Sequence, residues 1–360
     1  MSFYNTLPPP SSTLLTPVRS SPTAPALKPT IVVKYGGNAM TSPRLSTLFA
    51  ADCAYLSSLG VSVVVVHGGG PTITKLLGDL GVPSTFCDKT GVRISTDRVV
   101  RAAELALSGR VNKDLAAAIH DASEVLFPDT PSSSLSSSSS NSNSVSSSSV
   151  KPATAVGISG REGGLLQCVP LLGPNGENLG NVGQPVAVNP AIINSLLASP
   201  SPIVPVISPI GGPSPSSPSS SSSSSERSLR GVEVDVYNVN ADTAAGVLAR
   251  RLGAHAVLFL TDIRGVLDGE RKLIKTLDGG RNKGRTAVED LIEDGVITGG
   301  MIPKVRYATL ALEVGKTEGE GPGAKMAVIA DGRVEHILAK MVLGGGLEGK
   351  MEVGTVIRRR

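Results

Sequence analysis

Tryptophan is absent from this 360-residue chain, and aromatic residues make up only 3% of it, so any core must be built from small aliphatic side chains. Ala, Val, Leu, Ile and Gly dominate, and hydrophobic residues reach 40%, which suits α/β layers on the scale of one large or two modest domains. The three cysteines, Cys53, Cys87 and Cys168, lie far apart with no Cys-x-x-Cys pair. That spacing argues against a zinc site or a disulfide framework and fits a reducing compartment. No apolar run exceeds strand length, so no membrane span is expected. The formal charge is +4, yet the longest basic run is Arg358-Arg359-Arg360. Without a basic stripe interleaved with aromatics, nucleic acid is not an expected partner.

Acidic residues are missing from the first part of the chain, where the earliest is Asp52. Residues 1–28 are rich in Pro, Ser and Thr and carry no amphipathic repeat. They read as part of an organellar transit peptide or as a disordered tail. A plastid location is the expectation from the first reading, with a cytoplasmic or mitochondrial one as the alternative. Two further low-complexity stretches, 131–150 and 213–225, are nearly all Ser with Pro and Asn. They cannot bury enough apolar surface to offset their ordering entropy, and they mark surface-loop insertions.

What remains alternates strand and helix. Ile31–Lys34 reads as a strand entering Gly36-Gly37, followed by a helix around Leu45–Leu59. Val61–Val66 is valine broken only by Ser62, the pattern of a strand buried on both faces, and it runs into His67-Gly68-Gly69-Gly70-Pro71. Pro71 suits the first turn of the next helix. Thr96-Asp97 can cap another, running through Ala118. Further strands are expected at Ala155–Ile158, Ile203–Ile207, Ala256–Leu260 and Met326–Ala330. The fold class is α/β with a mainly parallel central sheet and ligands at the carboxyl ends of its strands.

Two glycine-rich strand-to-helix turns, the first following Lys34, point to phosphate handling, because such turns present free N–H groups to anions. Other glycine strings fail. His67–Gly70 could be an esterase oxyanion loop, but the chain has no Gly-x-Ser-x-Gly. Gly344-x-x-x-x-Gly349-Lys350 places Met351 where a P-loop needs Ser or Thr. Four more strings stand out: Lys89-Thr90-Gly91-Val92-Arg93, Asn238-Val239-Asn240-Ala241-Asp242, Thr261–Val266 and Gly299-Gly300-Met301-Ile302-Pro303-Lys304. Alone, each has a plain reading: a surface ion pair at Arg93, a helix cap in the Asn-x-Asn-x-Asp string, a solvated Lys304.

Read in order, these strings resemble the N-acetylglutamate kinases of the amino acid kinase family over roughly residues 31–357, outside the Ser-rich inserts and two C-terminal stretches. The resemblance implies a three-layer sandwich, the amino acid kinase fold, and ATP-dependent phosphorylation of the side-chain carboxylate of N-acetyl-L-glutamate. It implies a lobe over 29–253 for the acyl substrate and dimerisation, and one over 254–360 for ATP. Lys34, Lys304 and Asp242 are the implied catalytic set, with Asp242 holding both ammonium groups. Gly69, Gly70, Arg93 and Asn238 would bind substrate. Gly36, Gly37, Asp262, Ile263, Arg264, Gly265, Val266, Leu267, Val296, Ile297 and Thr298 would bind the nucleotide. Mg2+ is expected to ride on the ATP phosphates, with no dedicated protein metal site. A homodimer is expected, and a nitrogen-signalling regulator is a conceivable partner.

The pattern departs from the arginine-inhibited, hexameric members at Met341, where those carry Glu, and through extra residues at 316–323 and 344–351. Arginine control and a hexamer are therefore left open, and the dimer is the expectation. Alternatives left open are another amino acid kinase, of glutamate 5-kinase or carbamate kinase type, or a non-catalytic nucleotide- or regulator-binding protein.

Overall fold

A computed structural model describes residues 2–6, 28–128, 151–215, 236–282, 285–315, 321–348 and 353–359. Its centre is an eight-stranded sheet in the order β10-β14-β13-β9-β1-β2-β6-β3. The strands are β1 (Thr30–Tyr35), β2 (Ser62–His67), β3 (Thr154–Ser159), β6 (Ile203–Ser208), β9 (Ala256–Thr261), β10 (Thr276–Asp278), β13 (Met326–Asp331) and β14 (Gly354–Arg358). All adjacent pairs are parallel except β13 with β14.

The valine-rich strands are fully buried because helices cover both faces. Ile31, Val33 and Tyr35 of β1, with Val63 and Val65 of β2, pack toward α3 (Pro43–Ser58), α6 (Asn112–Leu126) and α11 (Ile337–Leu343). Val32, Val64 and Val66 point the other way, toward α8 (Ala241–Leu252) and α10 (Met301–Leu312). This is the expected three-layer sandwich, and the alternation of side chains along each strand assigns every residue to a face. The smaller helices are α1 (Ser2–Thr6), α2 (Asn38–Thr41), α4 (Gly70–Asp79), α5 (Asp97–Glu104), α7 (Ala191–Leu197) and α9 (Ala287–Glu293). A closed four-strand barrel of β4 (Leu166–Leu172), β5 (Asn178–Val188), β8 (Tyr237–Val239) and β7 (Ile210–Pro213) sits beside the sheet, with a short hairpin of β11 (Arg281–Asn282) and β12 (Arg285–Thr286) elsewhere. Neither was expected from the sequence: β7, β8 and the hairpin strands are too short to carry a periodicity, and the longer β4 and β5 are interrupted by glycine, proline and irregular pairing.

Three expectations need correction. The helix expected from Thr96 through Ala118 is present and unbroken but not uniform: α5 passes into a π-helical segment, Leu105–Val111, before α6 runs on to Leu126, and Thr96 makes no side-chain cap. The tail reading of residues 1–28 fails for Ser2–Thr6, which form α1. Tyr4 is buried there, donating to Asp52 at 2.9 Å while Phe3 stacks on His336. An internal acceptor and an aromatic neighbour supply what the composition did not advertise. The insert placed at 213–225 begins too early, since Pro213 closes β7 and Ser214 is buried with its N–H on the Cys168 carbonyl. Residues 7–27, the expected insert at 131–150 and most of the second insert lie outside the described residues.

Candidate functional site

Parallel strands end on one edge, and the expected chemistry gathers there. Lys34 lies at the end of β1, and Asp242 and Lys304 enter from α8 and α10 on the same face. Asn240 caps α8, its side-chain oxygen accepting from the Asp242 and Thr243 N–H groups at 2.8 and 3.2 Å. The cap reading of that asparagine is correct, and its consequence is to fix Asp242 in the first turn. The Lys34 ammonium lies 3.0 Å from one Asp242 oxygen, and Lys304 donates to the other at 3.0 Å. Burial opposes charge on Asp242, which is 8% exposed, yet Lys34 and Lys304 outweigh it and hold its carboxyl below the usual carboxylate range. The result is one anion spacing two cations at the mouth of the sheet.

The two glycine turns face each other across this edge. Gly68 donates its N–H to the Tyr35 carbonyl at 2.7 Å, and a Cβ on Gly68 would lie 3.6 Å from the Gly36 Cα. Gly36 lies under the Lys34 side chain, whose Nζ would be 3.0 Å from a Cβ there. Gly37 has φ of 70°, and a Cβ would lie 2.9 Å from both oxygens of Asp262, so this position needs glycine twice over. Gly69 precedes α4, whose first N–H groups lack intrahelical acceptors. On the opposite face of the same turns lies an open cavity of about 450 Å3, lined by Tyr35, Gly37, Gly69, Gly70, Lys75 and Asp114. Lys34, Asp242 and Lys304 do not line it.

Arg93 is buried, not a surface residue. Its guanidinium donates to Ser84 and to Thr74 at 2.8 Å, approaches the Gly70 carbonyl at 3.4 Å and lies 4.5 Å over the Phe86 ring. Asn238 reaches the same segment, donating to Ser95 at 3.1 Å, and Ser95 donates to the Arg93 carbonyl at 3.0 Å. Arg93, Asn238 and Gly70 thus form one patch beside the second glycine turn.

The nucleotide strings divide. Asp262 meets Gly37 as described, while Ile263 is 38% exposed. Gly265 lies tight against Thr355, whose hydroxyl accepts from the Val266 N–H at 2.8 Å, and Leu267 bridges to Leu273. Val266 and Ile297 are buried in one apolar cluster, whereas Thr298 is exposed just before α10 and Val296 is half-buried. The sequence reading missed Asp331, which ends β13 on the same edge. Burial opposes its charge, but the Arg333 fork at 2.8 Å and nearby Arg264 hold its carboxyl low. Its position after a parallel strand was the available signal. It also missed Asn112, for which the sequence offered none.

Among the described residues no group of three His, Cys, Asp or Glu gathers to cage a metal ion. The donors at the edge are amines, amide N–H groups and glycine backbone, a set suited to a polyphosphate.

A three-layer α/β sandwich with cationic groups and glycine turns at its carboxyl edge defines a phosphate-handling protein. The chain belongs to the amino acid kinase family, whose model matches residues 29–319. It is 36% identical to an acetylglutamate kinase of Granulibacter bethesdensis over 91% of this chain and 90% of that one. It is 37% identical to one of Gluconobacter oxydans over 85% of each. Among solved structures, N-acetylglutamate synthase from Neisseria gonorrhoeae, complexed with coenzyme A and N-acetyl-glutamate, superimposes with a TM-score of 0.62 at 19% identity. The match covers 92% of this chain but only 60% of the synthase. Carbamate kinase from Giardia lamblia bound to AMP-PNP gives 0.52 at 16% identity, covering 92% and 99%. At those identities the likeness is one of fold. Among the described residues no helix is long and apolar enough to cross a membrane.

Proposed function

We propose that this chain transfers the γ-phosphoryl group of ATP to the side-chain carboxylate of N-acetyl-L-glutamate, making the acyl phosphate and ADP, a step of arginine biosynthesis. The observation that carries the reading is the pair of ammonium groups, Lys34 and Lys304, each 3.0 Å from a shared Asp242 at the sheet edge. Acetylglutamate kinase relatives at 34–37% identity support the substrate.

A carboxylate of pKa about 4.3 is already ionised at neutral pH, so no general base is required. One carboxylate oxygen forms a bond to the γ-phosphorus as the bond to the β–γ bridging oxygen breaks, and that electron pair leaves on ADP. The obstacle is bringing two anions together and stabilising charge on the moving group, which is a matter of position and electrostatics. Lys34 and Lys304 act as mobile point charges around that group, and Asp242 sets their spacing. The glycine turns supply backbone N–H groups, and Arg93 with Asn238 orients the substrate. Carboxylate binding by Arg93 requires its fork to exchange Thr74 or Ser84 for the ligand. Mg2+ bound with the nucleotide would supply further charge neutralisation, with no cluster of acidic residues among the described ones to hold it.

The test is acyl phosphate formation, trapped as hydroxamate, with N-acetylglutamate, free glutamate and carbamate as acceptors. Turnover with N-acetylglutamate alone is expected; preference for another acceptor moves the assignment within the family, and ATP binding without turnover to any of them overturns it. The division into an acyl-substrate lobe over 29–253 and an ATP lobe over 254–360 belongs to the same proposal, as do a homodimer, a nitrogen-signalling regulator and a plastid location. Sedimentation of the purified chain checks the first of these associations.

A further inference from the structure

His67 ends β2 and is fully buried, yet nothing in the phosphoryl transfer above uses it. Its Nδ1 lies 2.7 Å from the carbonyl oxygen of Gly68, and its Nε2 lies 3.2 Å from the Asn112 amide nitrogen. That amide also lies 2.8 Å from the Val206 carbonyl of β6 and 3.4 Å from the Ile158 carbonyl of β3. Two carbonyls fix which end of Asn112 is nitrogen, because rotating the amide would set oxygen against oxygen. The cost is visible, since the Asn112 side-chain oxygen is buried without a hydrogen-bond partner. The Gly68 carbonyl can only accept, so the ring hydrogen sits on Nδ1, and Nε2 accepts one of the two Asn112 amide hydrogens while the other goes to the nearer carbonyl, Val206. Nδ1–H then donates to Gly68.

The consequence reaches the site through one peptide plane. In a trans peptide the carbonyl and the following N–H point in opposite directions. β1 and β2 pair with Tyr35 opposite His67 and Lys34 opposite Val66, so the His67 ring shares the Tyr35 face while Lys34 lies on the other. Drawing the Gly68 carbonyl toward the ring therefore turns the Gly69 N–H toward the face of Lys34, Asp242 and Lys304. We propose that Asn112 and His67 are positioning residues that lock the Gly68–Gly69 peptide with its N–H aimed at the transferred phosphoryl group or its acceptor. This deepens the kinase reading and rests on it. Burial drives His67 down to about 4, so the neutral ring persists across the working pH range.

Wild-type acyl phosphate formation judges the kinase reading by itself. The relay is read without turnover, by long-range 1H–15N NMR of the histidine rings, with His67 assigned by the signal missing in His67→Asn. A neutral ring protonated on Nδ1 is expected at pH 7, and protonation on Nε2, or on both nitrogens, overturns the proposal. Changing Asn112→Asp sets a carboxylate against Nε2, and the ring is expected to take up a second proton near neutrality; a ring unchanged by it removes Asn112 from the relay. Kinetics supply the third arm. His67→Leu is expected to lower kcat about 100-fold, the scale of losing one oriented donor, while His67→Asn, whose amide nitrogen sits near the Nδ1 position, stays within roughly 5-fold. Folded variants that lose kcat equally, or His67→Leu with wild-type kcat, count against it.

Discussion

At the scale of single residues, charge decides. Lys304→Ala removes one of the two cations facing the moving phosphoryl group and is expected to lower kcat by about 10²–10³-fold with little change in KM for N-acetylglutamate, the signature of an interaction made in the transition state. A large rise in KM with kcat intact would contradict that role. Arg93→Ala should do the reverse, raising KM by roughly tenfold or more, since a charge-assisted fork is worth about 1.5–3 kcal/mol; steady-state kinetics checks both. Lys34 was legible from the residues themselves, because lysine at a strand end and glycine after it have few structural reasons to coincide, whereas Lys304 and Arg93 were legible only through the ordered motifs that carry the family resemblance. Arg93 was half legible: its type and position were as expected, but its burial, its stacking over Phe86 and its bonds to Thr74 and Ser84 depend on chain segments folding together. His67 stood in plain view as part of a glycine string, while its partner Asn112 reads as one more polar residue on a helix.

At the scale of elements, the helix starts place the chemistry. Asn240→Ala removes the acceptor for two N–H groups at the head of α8 and should cost about 1 kcal/mol of stability. Because Asp242 sits in that same turn, kcat should fall as well; chemical denaturation and kinetics together separate the two effects, and an unchanged kcat would uncouple cap from site. Gly69 tests the π-helical segment. A Cβ there would lie 2.5 Å from the Leu107 side chain, so Gly69→Ala forces Leu107 or the turn to move. Leu107→Ala should relieve part of the loss in the double variant, the part owed to that side chain, while the part owed to the Gly69 backbone at φ 158° remains; a double variant no more active or stable than Gly69→Ala refutes the contact. Such coupling shows why the uniform helix expected after Thr96 was too simple. Apolar spacing records which face is buried, but the extra residue of a π turn is set by what must fit beneath it, here a glycine turn on a neighbouring strand.

At the scale of the whole molecule, the same buried groups make stability depend on pH. The His67 pKa is depressed to about 4 in the fold, so between that value and the unfolded 6.5 the unfolded chain binds a proton that the folded chain refuses. The unfolded state carries more protons there, and stability rises with pH across that window. The contribution is largest below pH 4, where the folded state is disfavoured by on the order of 3 kcal/mol relative to neutral pH. His255 works in the same direction, lowered by burial and by Lys325 and Arg358. Asp242, whose folded pKa is depressed, adds stability above the ordinary carboxylate range and loses it only as pH falls through its lowered value. The two effects therefore separate on the pH axis: histidine between about 6.5 and 4, carboxylate below. Thermal melts of the wild type should show Tm falling through the first window and then again through the second. In His67→Asn the first decline should flatten to the part owed to His255, while Asp242→Asn should leave the first intact and shrink the second to the part owed to the other carboxylates held low, Asp331 among them. A His67→Asn curve parallel to the wild type between pH 6.5 and 4 would mean that the ring titrates normally inside the fold, and with it the buried, neutral His67 on which the orientation of the glycine turn depends would be lost.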